Sequence, residues 1–164
     1  MTRNCEDIGV NLQKIITRLM SNDKLVNLLY YTSKDPYSET PLTDTQKQRL
    51  IFDKLIKIVP RIGAEEKETA TSIISVRVVK GRQNSENTEF RDIVIEIETF
   101  VPLTQWIIKD TNLRPFAIMG EIQESLNGKT INGLGKMVGG DFDLQFLSEE
   151  ISCYVQMFYI TSYE

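Results

Sequence analysis

The sequence predicts an α+β domain: a mostly antiparallel sheet with a long β-hairpin, and helices packed on one face. Three observations carry that expectation. Ile74, Val76 and Val78, and again Ile93, Ile95 and Ile97, recur at every second position, the period of a strand with one buried face. Ile8, Leu12, Ile15, Ile16 and Leu19 recur at helical spacing. The order of elements, helices first and then β-β-α-β-β, is that of helices gathered against an antiparallel sheet.

The 164 residues suit a single domain, 1–164, with an N-terminal helical segment 6–55 and a β-β-α-β-β portion 71–163. Apolar residues make up 41% and charged residues 26%, ordinary values for a globular chain. A net charge of -4 and no concentrated Lys/Arg cluster argue against a nucleic-acid surface, which needs a basic stripe. Cys5 and Cys153 are too few for a disulfide framework; a single bridge stays open, and a reducing compartment is the simpler assumption. The first residues lack the apolar core of a signal peptide, and no apolar run reaches the roughly eighteen residues of a membrane span. The expected site of synthesis and assembly is therefore the cytosol.

Taken in order, the first helix carries the Ile8–Leu19 stripe, with Lys14, Thr17 and Arg18 largely opposite it. Ser21-Asn22-Asp23 interrupts it and supplies a fresh cap for a second short helix bearing Leu25, Val26, Leu28 and Leu29. Of the adjacent Tyr30 and Tyr31, one ring is expected to pack and the other to lie at the surface. Residues 32–41, punctuated by Pro36 and Pro41, read as a loop. Thr43 and Gln46 have the spacing of a capping box and open a third helix carrying Leu50, Ile51 and Leu55. Ile56, Ile58 and Val59 form a short strand before Pro60, and residues 61–70 an exposed connection.

The hairpin follows, from Thr71 to Val101, with Gly81–Glu89 as a solvated tip because nothing in it is apolar. Pro102 cannot donate to a ladder and marks an end or an edge. Trp106 comes next, a residue at home in a core or a subunit interface. A helix from about Leu113 to Leu126 places Ile118, Ile122 and Leu126 on one stripe beside Met119, with Pro115 tolerated in its first turn and Asn127-Gly128 as its stop. The glycine-rich stretch 130–141 reads as a flexible turn into a strand that alternates Phe142, Leu144 and Phe146 with Asp143 and Gln145. The last strand, Ile151–Ile160, is apolar on both faces, so it is central or has one face covered by a partner.

Candidate chemistry is sparse. Without histidine the usual triads and most zinc sites are excluded. Gly128-Lys129-Thr130 resembles the end of a phosphate loop, but position 123 is Gln and the segment follows a helix. Gly133, Gly135, Gly139 and Gly140 fail the dinucleotide fingerprint because position 138 is Val. Asp92, Glu96 and Glu98 share one strand face, a pattern that means solvent or a basic partner before it means catalysis. Cys153 within an apolar strand reads as inert core. No catalytic, cofactor or metal residue is assigned.

Four stretches in this order carry a resemblance: Val26-Asn27-Leu28-Leu29-Tyr30-Tyr31-Thr32-Ser33-Lys34-Asp35-Pro36, Arg91-Asp92-Ile93-Val94-Ile95-Glu96-Ile97, Leu113-Arg114-Pro115-Phe116-Ala117-Ile118-Met119-Gly120-Glu121-Ile122, and Gly133-Leu134-Gly135-Lys136 running into two closing strands. Together they resemble the neck and tail-completion proteins of long-tailed bacteriophages, particularly the tail terminators. The resemblance implies an α+β protomer that closes into a hexameric ring in the virion, caps the tail tube, stops its polymerisation and meets the head connector or stopper protein. It implies no cofactor, no turnover, no membrane and no reading of nucleic-acid sequence. Edge strands would pair or pack between subunits, and the hairpin would touch a neighbour or the tube. The interface set is Arg82, Gln83, Asn84 and Glu86 on the hairpin, Asp92, Glu96 and Glu98 on its second strand, and Trp106. No run of exposed apolar residues is expected to mark the interface. Two other readings stand beside this one: an adaptor domain that binds a protein through a sheet edge, or another neck protein such as a stopper. An enzyme using only carboxylates and lysines ranks last.

Overall fold

The computed structural model describes residues 5–52, 55–58, 71–83, 86, 90–131 and 134–161. Helix α1, Cys5–Met20, buries Ile15, Ile16 and Leu19. Asn22 caps α2, Asp23–Tyr30, its side-chain oxygen accepting from the Leu25 amide at 3.1 Å. The capping box forms as expected at α3, Asp44–Phe52. The Thr43 amide donates to Gln46 Oε1 at 2.9 Å, and the Gln46 amide donates back to Thr43 Oγ1 at 3.4 Å. The expected loop 32–41 contains a 3-10 turn, Pro36–Ser38, because Pro36 presets the helical φ at its start. Tyr31 packs on the core while Tyr30 is exposed, their rings edge-on at 5.1 Å.

The described strands form one curled sheet in the order β1-β2-β3-β6-β5-β4. They are β1 (Ile56–Lys57), β2 (Ile73–Gln83), β3 (Phe90–Pro102), β4 (Thr130–Ile131), β5 (Gly135–Leu147) and β6 (Ile151–Thr161). Only the β1–β2 pair is parallel. The expected strand near 56–59 is thus two residues long, and its continuation to Val59 lies outside the described residues, as does the connection 61–70. The hairpin is as expected except at its tip: β2 runs on to Gln83, so part of the polar stretch is strand. The rest of that tip, apart from Glu86, lies outside the described residues. Pro102 ends a central strand, not an edge one, and stands at the last paired position of β3 opposite Ile151.

Helix α4, Arg114–Leu126, lies against β3 and β5, and α1 lies against β2. Ile118, Ile122 and Leu126 are fully buried and Met119 nearly so. The Gln156 amide of β6 donates to the Met119 carbonyl at 3.1 Å. Asn22 ties the α1–α2 junction to α4, its amide donating to Glu121 Oε2 at 3.0 Å and Ser125 Oγ at 2.9 Å. Arg114, 1% exposed, is buried at the seam between layers. Its guanidinium donates to the carbonyls of Gln105, Leu28, Tyr31 and Ser33, at 3.0, 2.7, 2.8 and 2.6 Å. Four carbonyls left over by short turns and a helix end are satisfied by one rigid fork.

The glycine-rich stretch departs from expectation. Gly135–Gly140 is not a turn but the first half of β5. Gly139 and Gly140 take φ 148° and 109° at a bulge, where the pairing slips between Gly139 and Asp141. A Cβ on Gly139 would stand 2.4 Å from the Met157 carbonyl oxygen. Glycine is there for close approach of two strands.

Candidate interaction surface

β6 lies between β3 and β5, the central position that is one of the two alternatives its apolar faces leave open. Its neighbour β5 is different. β4 pairs with β5 at Gly135 and Lys136, Met137 exchanges backbone hydrogen bonds with Gly128 and Lys129, and the Gly139 amide donates to Asn127 Oδ1; from Asp141 to Leu147 no other described strand occupies the outer edge. Phe142, Leu144 and Leu147 pair with Gln156, Tyr154 and Ser152, which places them on the face that carries the helices. Phe142 is 52%, Leu144 51% and Leu147 58% exposed. The expectation that no exposed apolar run marks a surface is therefore overturned. The alternation of β5 is real, but the described helices leave Phe142, Leu144 and Leu147 half exposed on its apolar side.

Rings from four elements meet there. Phe116, in the first turn of α4, sits 5.3 Å from Tyr154 and 6.0 Å from Phe142, with Phe142 at 6.3 Å from Tyr154. Trp106 adds a fourth ring 6.4 Å from Tyr154. Local backbone geometry puts Trp106 in place. After Pro102 the chain turns through a 3-10 turn, Leu103–Gln105, anchored by the Leu103 amide donating to the Glu150 carbonyl at 2.8 Å. The Trp106 carbonyl then accepts from the Arg114 amide at 2.7 Å, and its indole N–H donates to Ser152 Oγ at 2.9 Å. The half-buried Trp106 and buried Tyr154 form the floor; Phe116, Phe142 and Leu144 form the exposed part. Of these rings the sequence singles out Trp106 alone. The signal was present in Phe142-x-Leu144-x-Phe146, but alternation alone does not say whether the apolar side is covered.

The other sequence-selected residues lie elsewhere. Arg82 and Gln83 are exposed at the end of β2, Glu86 is exposed, and Asn84 lies outside the described residues. Asp92 stands opposite Arg82, at the far end of β3 from Trp106. The structure does not bring Trp106 together with the hairpin set. It does bring Glu96 and Glu98 together, on the face away from the helices, through Arg77. Arg77 Nε donates to Glu96 Oε2 at 2.7 Å and Nη2 to Glu98 Oε1 at 3.0 Å. This face was expected to be solvated, yet Glu98 is buried and its basic partner comes from its own hairpin. Burial pushes the Glu98 carboxyl above its usual range, Arg77 opposes the shift and Glu96 adds to it. Next to it, burial and then the Glu98 charge push the Cys153 thiol up to about 12, and its S–H donates to Gln145 Oε1 at 3.2 Å. Both cysteines are free, Cys5 exposed and Cys153 buried.

A cleft of about 550 Å³ lies between the Lys34–Tyr37 turn and Ile108–Asn112. Asp110 and Thr111 hold left-handed φ of 61° and 60° there, and Lys109 pairs with Asp35 at 2.8 Å. The hydrogen bond from Lys109 holds Asp35 below its ordinary value, and the same bond raises Lys109 in turn. Among the described residues no cluster of three or more cysteines and carboxylates is placed to hold a metal ion, and no helix is long and apolar enough to cross a membrane.

One family model, YomW, matches residues 22–159, from the cap of α2 to near the end of β6. No curated protein matches the chain.

Proposed function

The chain belongs to the YomW family, a family name of the SPβ phage type, and on that premise we propose that it is a structural protein of the phage neck. In this reading it is a tail terminator, a ring that caps the tail tube and joins it to the head connector or stopper protein. It is assembled in the host cytoplasm, resides in the virion, and works by contact alone, with no turnover, cofactor, membrane or nucleic-acid sequence to read. The observation that carries the reading is the uncovered apolar patch of Phe116, Phe142, Leu144 and Leu147 along a strand edge that no other described strand occupies. A contiguous patch of this kind, set among polar residues, marks an association surface. The resemblance of the four stretches to tail-completion proteins supplies the kind of assembly.

The test is to mix the purified chain with polymerising tail-tube protein of its phage and follow the tubes by electron microscopy. Rings at tube ends and arrested tube growth are expected. Tubes that elongate unchanged beside an excess of the chain would remove the terminator role. The free edge of β5 also favours a second reading, an adaptor that takes a partner's strand by β-augmentation. A defined one-to-one complex with a single protein would replace the ring with this.

A further inference from the structure

β2 and β5, next to the short end strands β1 and β4, are each covered by described residues along only part of their outer edges. Among the described residues, β1 covers β2 at Ile74 and Ser75, leaving Val76–Gln83; β4 covers β5 at Gly135 and Lys136 and residues 127–129 bond Met137 and Gly139, leaving Asp141–Leu147. The covered ends lie at opposite ends of the sheet, because Lys136 stands in the row of Arg82, whereas Ile74 stands in the row of Leu144. The charges on the free stretches are opposite. β2 exposes Lys80 and Arg82; β5 exposes Asp141 and Asp143. All four lie on one face, the one away from the helices. Lys80 and Arg82 pair with Val94 and Asp92, while Asp141 and Asp143 pair with Met157 and Val155, which in turn stand opposite Glu96 and Glu98.

We infer that the partner of the β5 edge is the β2 edge of a second copy, joined head to tail. This rests on the ring reading above and names its contact. Three features of the fold agree on it. Through β3 and β6, β2 runs antiparallel to β5, so a second copy in the same orientation continues the sheet with an antiparallel pair. A stagger of about four residues, 13 Å at about 3.3 Å per residue, overlaps the two free stretches and keeps β1 and β4 clear. That same stagger sets Arg82 beside Asp141 and Lys80 beside Asp143, each an opposite-charge cross-strand pair. On the helix-bearing face it carries Phe142 and Leu144 toward the next copy's α1, whose Val10 is 54% exposed. Bulges at Val78/Lys80, Gly139/Asp141 and Leu144/Phe146 confine regular pairing to the short stretch that bears the charges. A bulged edge resists indiscriminate strand addition, and here it leaves one acceptable register. Because the contact joins two different edges, it is heterologous and closes a ring when the rotation permits.

Charge exchange tests it on the full chain, by light scattering at low and high salt. The wild type is expected to exceed the 18.9 kDa protomer mass, with association weakening as salt rises. Lys80→Glu/Arg82→Glu carries two acidic edges and Asp141→Lys/Asp143→Lys two basic ones. Each alone should associate about 100-fold more weakly, and an equimolar mixture should regain the wild-type mass, since every edge again meets its opposite. Thermal unfolding of the protomers checks that the exposed substitutions leave the fold intact. A wild type that stays monomeric would overturn the inference. So would a reversed variant that keeps the wild-type mass, or folded variants that fail to restore each other. An oligomer indifferent to these charges that still caps tubes would leave the ring standing and this contact refuted.

Discussion

Arg77 Nη2 donates to Glu98 Oε1 at 3.0 Å although Glu98 is 4% exposed. One guanidinium thus compensates two carboxylates, Glu96 at the margin and Glu98 within. Removing the cation and neutralising the anion have unequal consequences. Arg77→Met leaves a buried charge uncompensated and should cost about 3 kcal/mol at neutral pH. Glu98→Gln keeps the shape and leaves Arg77 its pair with Glu96; urea unfolding should place it within about 1 kcal/mol of wild type.

The same pair gives a pH signature. The folded Glu98 carboxyl lies above its ordinary value of 4.5, so the folded state holds its proton more tightly than the unfolded chain. The stabilisation from this group is full below the unfolded value and is lost as pH rises through the raised folded value. Across a urea series from about pH 4 to 7, wild type should lose stability relative to Glu98→Gln as pH rises. A difference constant with pH, or one that grows in wild type's favour, would show that Glu98 is not held in this way.

Arg114→Lys should be severe despite retaining charge. A single ammonium cannot reach four carbonyls spread from Leu28 to Gln105, and each buried acceptor left open costs about 1–3 kcal/mol. A loss of about 3 kcal/mol is expected, seen as a fall in Tm of roughly 10 °C for a chain of this size.

Two glycines make a matched pair. Gly139→Ala drives a Cβ into the Met157 carbonyl at the β5 bulge and should destabilise by about 3 kcal/mol. Gly128, at φ 72° after α4, has open space around it, so Gly128→Ala should cost only about 1 kcal/mol of backbone strain.

Phe142→Ser and Leu144→Ser separate folding from assembly. Both side chains are half exposed, so protomer unfolding should shift by about 0.5 kcal/mol or less while the solution mass falls toward one protomer. Loss of the fold instead would mean that these side chains belong to the core.

Much of the architecture is legible in the sequence. The alternation of Ile93, Ile95 and Ile97, the stripe of α1, the Thr43–Gln46 box and the Asn127-Gly128 stop are local patterns, each set by residues a few positions apart. The errors fell where the deciding neighbour was remote. Gly139 reads as a turn until Met157 is seen pressed against it, and Glu98 reads as solvated until Arg77 is placed across the ladder from Glu96. Trp106 could be singled out, but not that Tyr154, Phe116 and Phe142 from three other elements would gather around it.

By itself the sequence determined the elements, the fold class and the absence of histidine chemistry, because periodicity, capping and composition are properties of short windows. Only the tertiary structure decided which apolar faces found a cover. Phe158 and Phe142 look alike as strand residues, yet one is fully buried and the other half exposed. The difference is that Phe158 lies on a central strand flanked on both sides, whereas Phe142 lies on β5, near the margin of the sheet, where Phe116 at the start of α4 meets only part of its ring. Burial is a property of the neighbours a residue acquires, and those are fixed by strand order, not by the residue.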